Sequence, residues 1–137
     1  MSKSSRRRAR RILMQALYQL QLAGDSTQQL LEQFTGTPEA EGADMDYFSA
    51  LLERVGETHA ELDNSIASYG DIPAAQLDPV EHAILWIAII ELLEKPDVPR
   101  KVVINEAIEL AKTFGAEGGY RYINGLLDKA AADLRPA

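Results

Sequence analysis

The chain has 137 residues, 46% of them hydrophobic, with two histidines, no cysteine and a formal net charge of −7. That length fits one domain that can bury a core without a covalent staple, and the missing cysteines exclude disulfides, thiolate metal sites and a cysteine nucleophile. The longest apolar run, Ala83 to Ile90, is too short to cross a bilayer, and no apolar stretch follows the basic start as in a secretory signal, so a cytoplasmic location is expected.

The charge is unevenly spread. Lys3, Arg6, Arg7, Arg8, Arg10 and Arg11 crowd into residues 1–11 with no acid, leaving 8 basic against 21 acidic residues in the remainder, a balance of −13. Such a surface repels nucleic acid over most of its extent. A concentrated basic end can still hold phosphate, because screening confines charge effects to about 10 Å. The competing reading is a solvated tail, expected for residues 1–5.

The hydrophobic period is helical nearly throughout. A first helix is expected from about Arg6 to Ala23, with Ala9, Ile12, Leu13, Ala16, Leu17 and Leu20 as its core stripe. Arg7, Arg11, Met14, Tyr18 and Leu22 form a second stripe within about 80° of arc, which suits a binding surface or a face covered by another helix. A short helix follows around Gln28–Phe34, then a breaker-rich loop over 35–44. The next helix spans about Asp46 to Tyr69, with Gly56 as a possible break. Asp78-Pro79-Val80-Glu81 places Asp at the N-cap, Pro at the first helical position and Glu at the third, opening a helix to about Glu94 that is apolar almost all round. Pro99 opens another helix to Phe114, with Gly115 at its end. The last runs from about Glu117 to Leu134. The fold class expected is all-α: a compact single domain, residues 1–137, of about seven helices.

Catalytic chemistry finds no footing. His59 and Asp63 share i,i+4 spacing but lack an evident third ligand. The glycine-rich stretch 115–119 joins two helices and follows no strand, so it is not a nucleotide loop. No enzyme activity and no cofactor are expected. Binding features are richer. Phe114 and Tyr120 flank the glycine-rich turn, and the start of the last helix offers N–H groups to an anion. Tyr122 and Lys129 lie seven residues apart off the core face, with Gly125 beside them. A mid-helix Gly costs about 0.5–1 kcal/mol relative to Ala, so either a packed helix or a ligand is expected close by. Aromatic stacking with cationic backbone contacts is how single-stranded RNA is held.

Taken together, these residues resemble the NusB family over essentially the whole chain. Arg6-Arg7-Arg8-Ala9-Arg10 followed by Gln15-Ala16-Leu17-Tyr18 is similar to its first-helix signature. Asp97-Val98-Pro99, Lys101 through Lys112, Phe114-Gly115 and Asn124-Gly125-x-Leu127-Asp128-Lys129 are similar to its C-terminal one. The resemblance implies two packed helical bundles with an arginine-rich N-terminus. It implies a transcription antitermination factor that pairs with NusE, a small-subunit ribosomal protein. That pair binds boxA single-stranded RNA and joins the RNA polymerase antitermination complex, chiefly over ribosomal RNA operons. By motif position Arg6, Arg7, Arg8, Arg10, Arg11, Phe114, Tyr120 and Tyr122 would meet RNA, joined by Lys129. Tyr18, Leu22 and Glu81 would face NusE. Two positions depart from the family pattern. Trp86 stands where arginine is common, removing an RNA contact or substituting a stacking one, and Gly118-Gly119 replaces a more polar pair, making a more flexible turn. The alternative is an interaction module with the same fold and no specific RNA recognition. A membrane-surface role for the arginine-rich helix is disfavoured, since the core claims its apolar face.

Overall fold

Ser2 starts the first helix earlier than periodicity alone suggests. In the computed structural model, which describes residues 2–136, the Ser2 hydroxyl accepts from the Ser5 amide at 3.1 Å and α1 runs Lys3–Ala23. Residues 3–5, expected as tail, thus form its first turn; Met1 lies outside the described residues. Gly24 ends α1 in the left-handed region at φ 70°, which costs glycine little.

Five more helices follow: α2 (Thr27–Thr35), α3 (Met45–Tyr69), α4 (Pro79–Glu94), α5 (Arg100–Phe114) and α6 (Gly119–Leu134), with 3-10 turns at Pro38–Ala40 and Ala74–Gln76. No strand occurs among the described residues. Among the described residues there are six α-helices rather than about seven, and Gly56 does not interrupt α3. A Cβ at Gly56 would collide with the Thr27 side chain, so this glycine serves a close approach between α3 and the start of α2.

The backbone divides into two compact units, one up to Glu57 and one from Thr58, the division falling within α3. In the first, α1 packs on α2 and on the 3-10 turn, over buried Leu13, Leu17, Leu30, Phe34, Phe48 and Leu51. Asp44 fixes its α3 end: its carboxylate accepts from the Tyr47 amide at 3.1 Å, and its own amide donates to Ser5 O at 3.0 Å. In the second, α4 packs against both α5 and α6, and every residue from Glu81 to Ile90 is buried, as its nearly all-apolar sequence requires. Asp78 caps α4 by accepting from the Glu81 amide at 3.1 Å. No described helix is long and apolar enough to cross a membrane.

Candidate nucleic-acid interface

The arginine cluster separates by helical angle. Successive residues rotate by about 100°, which carries Arg6 and Arg10 towards the core stripe of α1 and Arg7 and Arg11 away from it. The Arg6 guanidinium lies 4.4 Å from the centroid of Tyr47, with its Nε 3.9 Å from Asp44. Arg10 lies 5.7 Å from the same ring and is only 4% exposed. Arg10, expected at RNA, packs here against Tyr47, a cation–π arrangement that places a buried guanidinium over a ring face. Arg8 donates to the Glu41 carbonyl at 3.0 Å and leans over Gly42. Arg7 and Arg11 are exposed.

On the same helix Tyr18 is 39% and Leu22 59% exposed, whereas Met14 is buried. The second stripe is thus covered at Met14 and open at its outer part, where a tyrosine and a leucine stand exposed in line with two exposed arginines.

In the second unit the glycine-rich turn presents aromatic and basic groups together. Phe114, at the end of α5, is 36% exposed. Tyr120, in the first turn of α6, has Lys112 Nζ 4.9 Å and Arg121 Cζ 5.4 Å from its ring centroid. Neither cation is among the residues expected from the sequence to meet RNA. The signal is nevertheless there, since Arg121 directly follows the tyrosine and Lys112 sits in the last turn of α5.

Three further residues singled out in the sequence are engaged within the chain. Tyr122 is half-buried and its hydroxyl accepts from the Ile72 amide at 3.1 Å; a Cβ at Gly70 would collide with that oxygen. It pins the 70–72 turn. Trp86 is 4% exposed and takes no part in a surface. Glu81, expected at the partner interface, is 8% exposed and accepts from the Ala116 amide at 3.1 Å through Oε2. Its carboxylate stands at the N-terminus of α6, the place expected to receive an external anion. Helix α6 has no side-chain cap of its own, and Gly118 enters it at φ 79°. A Cβ at Gly119 would meet both Glu81 carboxylate oxygens at hard-contact distance. The glycine pair therefore does not loosen the turn at Gly119; it makes room for Glu81. Lys129 is exposed on α6. Gly125 is exposed too, and a Cβ placed there would meet nothing within 4 Å, so no described helix packs against it.

A model of the NusB family matches residues 7–132. Curated relatives named transcription antitermination protein NusB include one from Idiomarina loihiensis, 44% identical over 136 residues, 99% of this chain and 98% of the relative. Another, from Shewanella amazonensis, is 46% identical over 132 residues, covering 96% of this chain and 98% of the relative. Among solved structures, T. maritima NusB superposes with a TM-score of 0.83 at 30% identity, covering 96% of this chain and 94% of that one. Fold and surface thus define an all-helical protein with the NusB architecture. The chain belongs to the NusB family of transcription antitermination factors.

Proposed function

We propose that this protein pairs with NusE, the small-subunit ribosomal protein, and that the pair holds boxA-type single-stranded RNA within the antitermination complex on RNA polymerase, in the cytoplasm. The observation that carries the RNA reading is the Tyr120 ring flanked by Lys112 at 4.9 Å and Arg121 at 5.4 Å beside exposed Phe114. Aromatic faces that stack bases, with cations placed to meet the backbone, are the recurrent means of holding single strands. Arg7, Arg8 and Arg11 give the first unit phosphate contacts of its own, and Lys129 gives the second unit one on α6. Tyr18 and Leu22 supply the partner surface, since large residues exposed in line on a helix suit an interface anchor. The protein acts by binding and carries out no chemistry of its own.

The test is co-purification with NusE, then RNA binding by the pair to intact and scrambled boxA. Preference for the intact sequence supports the reading. Partner binding with no RNA preference leaves a protein-interaction module instead.

A further inference from the structure

Glu81 lies at the third position of α4, and its side chain reaches beyond its own helix. Its carboxylate is buried, accepts from the Ala116 amide at 3.1 Å, and fills the space that a side chain at Gly119 would take. The same oxygen lies 3.3 Å from where a Cβ at Gly115 would stand. Three positions of the five-residue turn thus close around one carboxylate. That turn carries Phe114 on one side and Tyr120 on the other. The start of α6 has no side-chain cap, and the turn holds two adjacent glycines, Gly118 at φ 79°, so that apart from the Glu81 contact it has much conformational freedom. A buried negative charge at a helix start is favoured by the helix dipole and by the N–H groups exposed there.

We infer that Glu81 is a positioning residue for RNA binding: its carboxylate latches the α5–α6 turn so that Phe114 and Tyr120 are held in the geometry that stacks on bases. This rests on the RNA reading above. The carboxylate is engaged within the chain, and the partner-facing role that the resemblance implies is read separately, by NusE affinity. The latch also means that the α6 N-terminus is no phosphate site. The latch works by a hydrogen bond and by shape, so glutamine, which keeps an acceptor oxygen, replaces glutamate in it, while alanine does not. Pre-ordering a binding surface raises affinity by lowering the ordering cost on association.

The experiment uses the full chain in complex with NusE. It compares Glu81→Gln, Glu81→Ala and Gly119→Ala with the parent by boxA RNA affinity, NusE affinity and amide hydrogen exchange at Ala116. Gly119→Ala is the decisive variant: it leaves the α4 cap untouched but evicts the carboxylate. Expected are loss of Ala116 protection and about tenfold weaker RNA binding in Gly119→Ala and Glu81→Ala, parent-like behaviour in Glu81→Gln, and unchanged NusE affinity in Gly119→Ala. Full RNA affinity in Gly119→Ala despite an unprotected Ala116 would overturn the inference. So would a Glu81→Gln variant that keeps Ala116 protected yet loses RNA, since charge rather than the latch would then matter. If the parent complex binds no boxA RNA, the RNA reading itself fails and this role with it, while protection at Ala116 still reports the hydrogen bond.

Discussion

The indole Nε1 of Trp86 donates to Asp63 Oδ1 at 2.8 Å, joining α4 to the C-terminal half of α3. The same oxygen stands 2.6 Å from His82 Nε2, and the His82 and Trp86 rings lie 4.3 Å apart between centroids. A tryptophan at this place is therefore a core residue whose polar atom is satisfied, not a stacking platform for RNA. Trp86→Phe should cost about 1–3 kcal/mol by leaving Asp63 one donor short, and Trp86→Ala about 3–5 kcal/mol through the cavity as well. Urea denaturation measures both. RNA affinity of the folded Trp86→Phe protein should match the parent, and a selective loss of RNA binding without loss of stability would return Trp86 to the interface.

Arg135 holds the end of α4. Its guanidinium donates to the carbonyls of Glu91 and Lys95 at 2.7 Å and of Leu92 at 2.9 Å, and also to Val98 O. Pro96 leaves Leu92 O without an i+4 donor, while Glu91 O also accepts from the Lys95 amide at 3.0 Å and Lys95 O from the Val98 amide at 2.9 Å. Arg135→Ala is expected to lower stability by about 2–3 kcal/mol, since charge-assisted bonds are the stronger class. Arg135→Lys should recover little, because an ammonium cannot span the same set of carbonyls. Thermal melts of the two variants check this, and a fully restored melting temperature in Arg135→Lys would contradict it.

Tyr69 donates its hydroxyl to Asp133 Oδ2. That hydrogen bond, then burial, then the adjacent negative charge raise its pKa above the ordinary 10.0. A raised folded-state value means that the folded chain keeps this proton longer than the unfolded chain does. The contribution to stability is fully present below pH 10.0 and is lost as pH climbs through the folded-state value. Titration of tyrosinate absorbance should show one late component that moves earlier in Asp133→Asn. Identical titration curves for parent and variant would remove the pair as its cause.

Much of the fold is legible in the sequence because its signals are local. Asp78-Pro79 marks the start of α4 to the residue, and the all-apolar run after it gives a helix covered on every side. Starts with less emphatic caps are harder to place: α1 begins at Lys3 rather than Arg6, and α6 at Gly119 rather than Glu117. The interface is legible in composition but not in orientation. Arg10 and Arg11 are neighbours in sequence, yet one turns to Tyr47 and the other to solvent. Glu81 illustrates what a sequence hides. Its tie to Ala116 crosses 35 residues, and only the pairing of a buried carboxylate with an uncapped helix start and a glycine at Gly119 reveals it.

Gly125 faces open space in the interior of α6. Nothing in the chain explains why alanine, the better helix former, is absent. Gly125→Ala is expected to raise stability by about 0.5–1 kcal/mol. If a partner or RNA backbone comes close there, the same change lowers that affinity while the melting temperature rises. Stability and affinity moving in opposite directions would locate a contact at Gly125; affinity left unchanged would show that none exists.

The two kinds of arginine in α1 should separate in a salt titration. For single-stranded RNA each phosphate neutralised adds about 0.7 to the slope of log K against log salt. Arg7 and Arg11 are exposed, whereas Arg10 is 4% exposed against the Tyr47 ring. Replacing Arg7 and Arg11 together with alanine should therefore make the slope shallower by about one unit, a little short of two full contacts because neighbouring cations take up part of the loss. Preference for intact over scrambled boxA should survive, because backbone contacts position a strand while base contacts specify it. Arg10→Ala should act on a different observable. Its slope stays near that of the parent, and its melting temperature falls, because a buried guanidinium and its packing against Tyr47 are lost. Tyr120→Ala gives the complementary case, with the slope kept and sequence preference reduced as a stacking face disappears. All three proteins are measured in complex with NusE at three or more salt concentrations. Were Arg10→Ala to flatten the slope while the Arg7 and Arg11 double variant did not, the buried arginine would have to swing out on binding, and the division of α1 into a packing face and a phosphate face would be wrong.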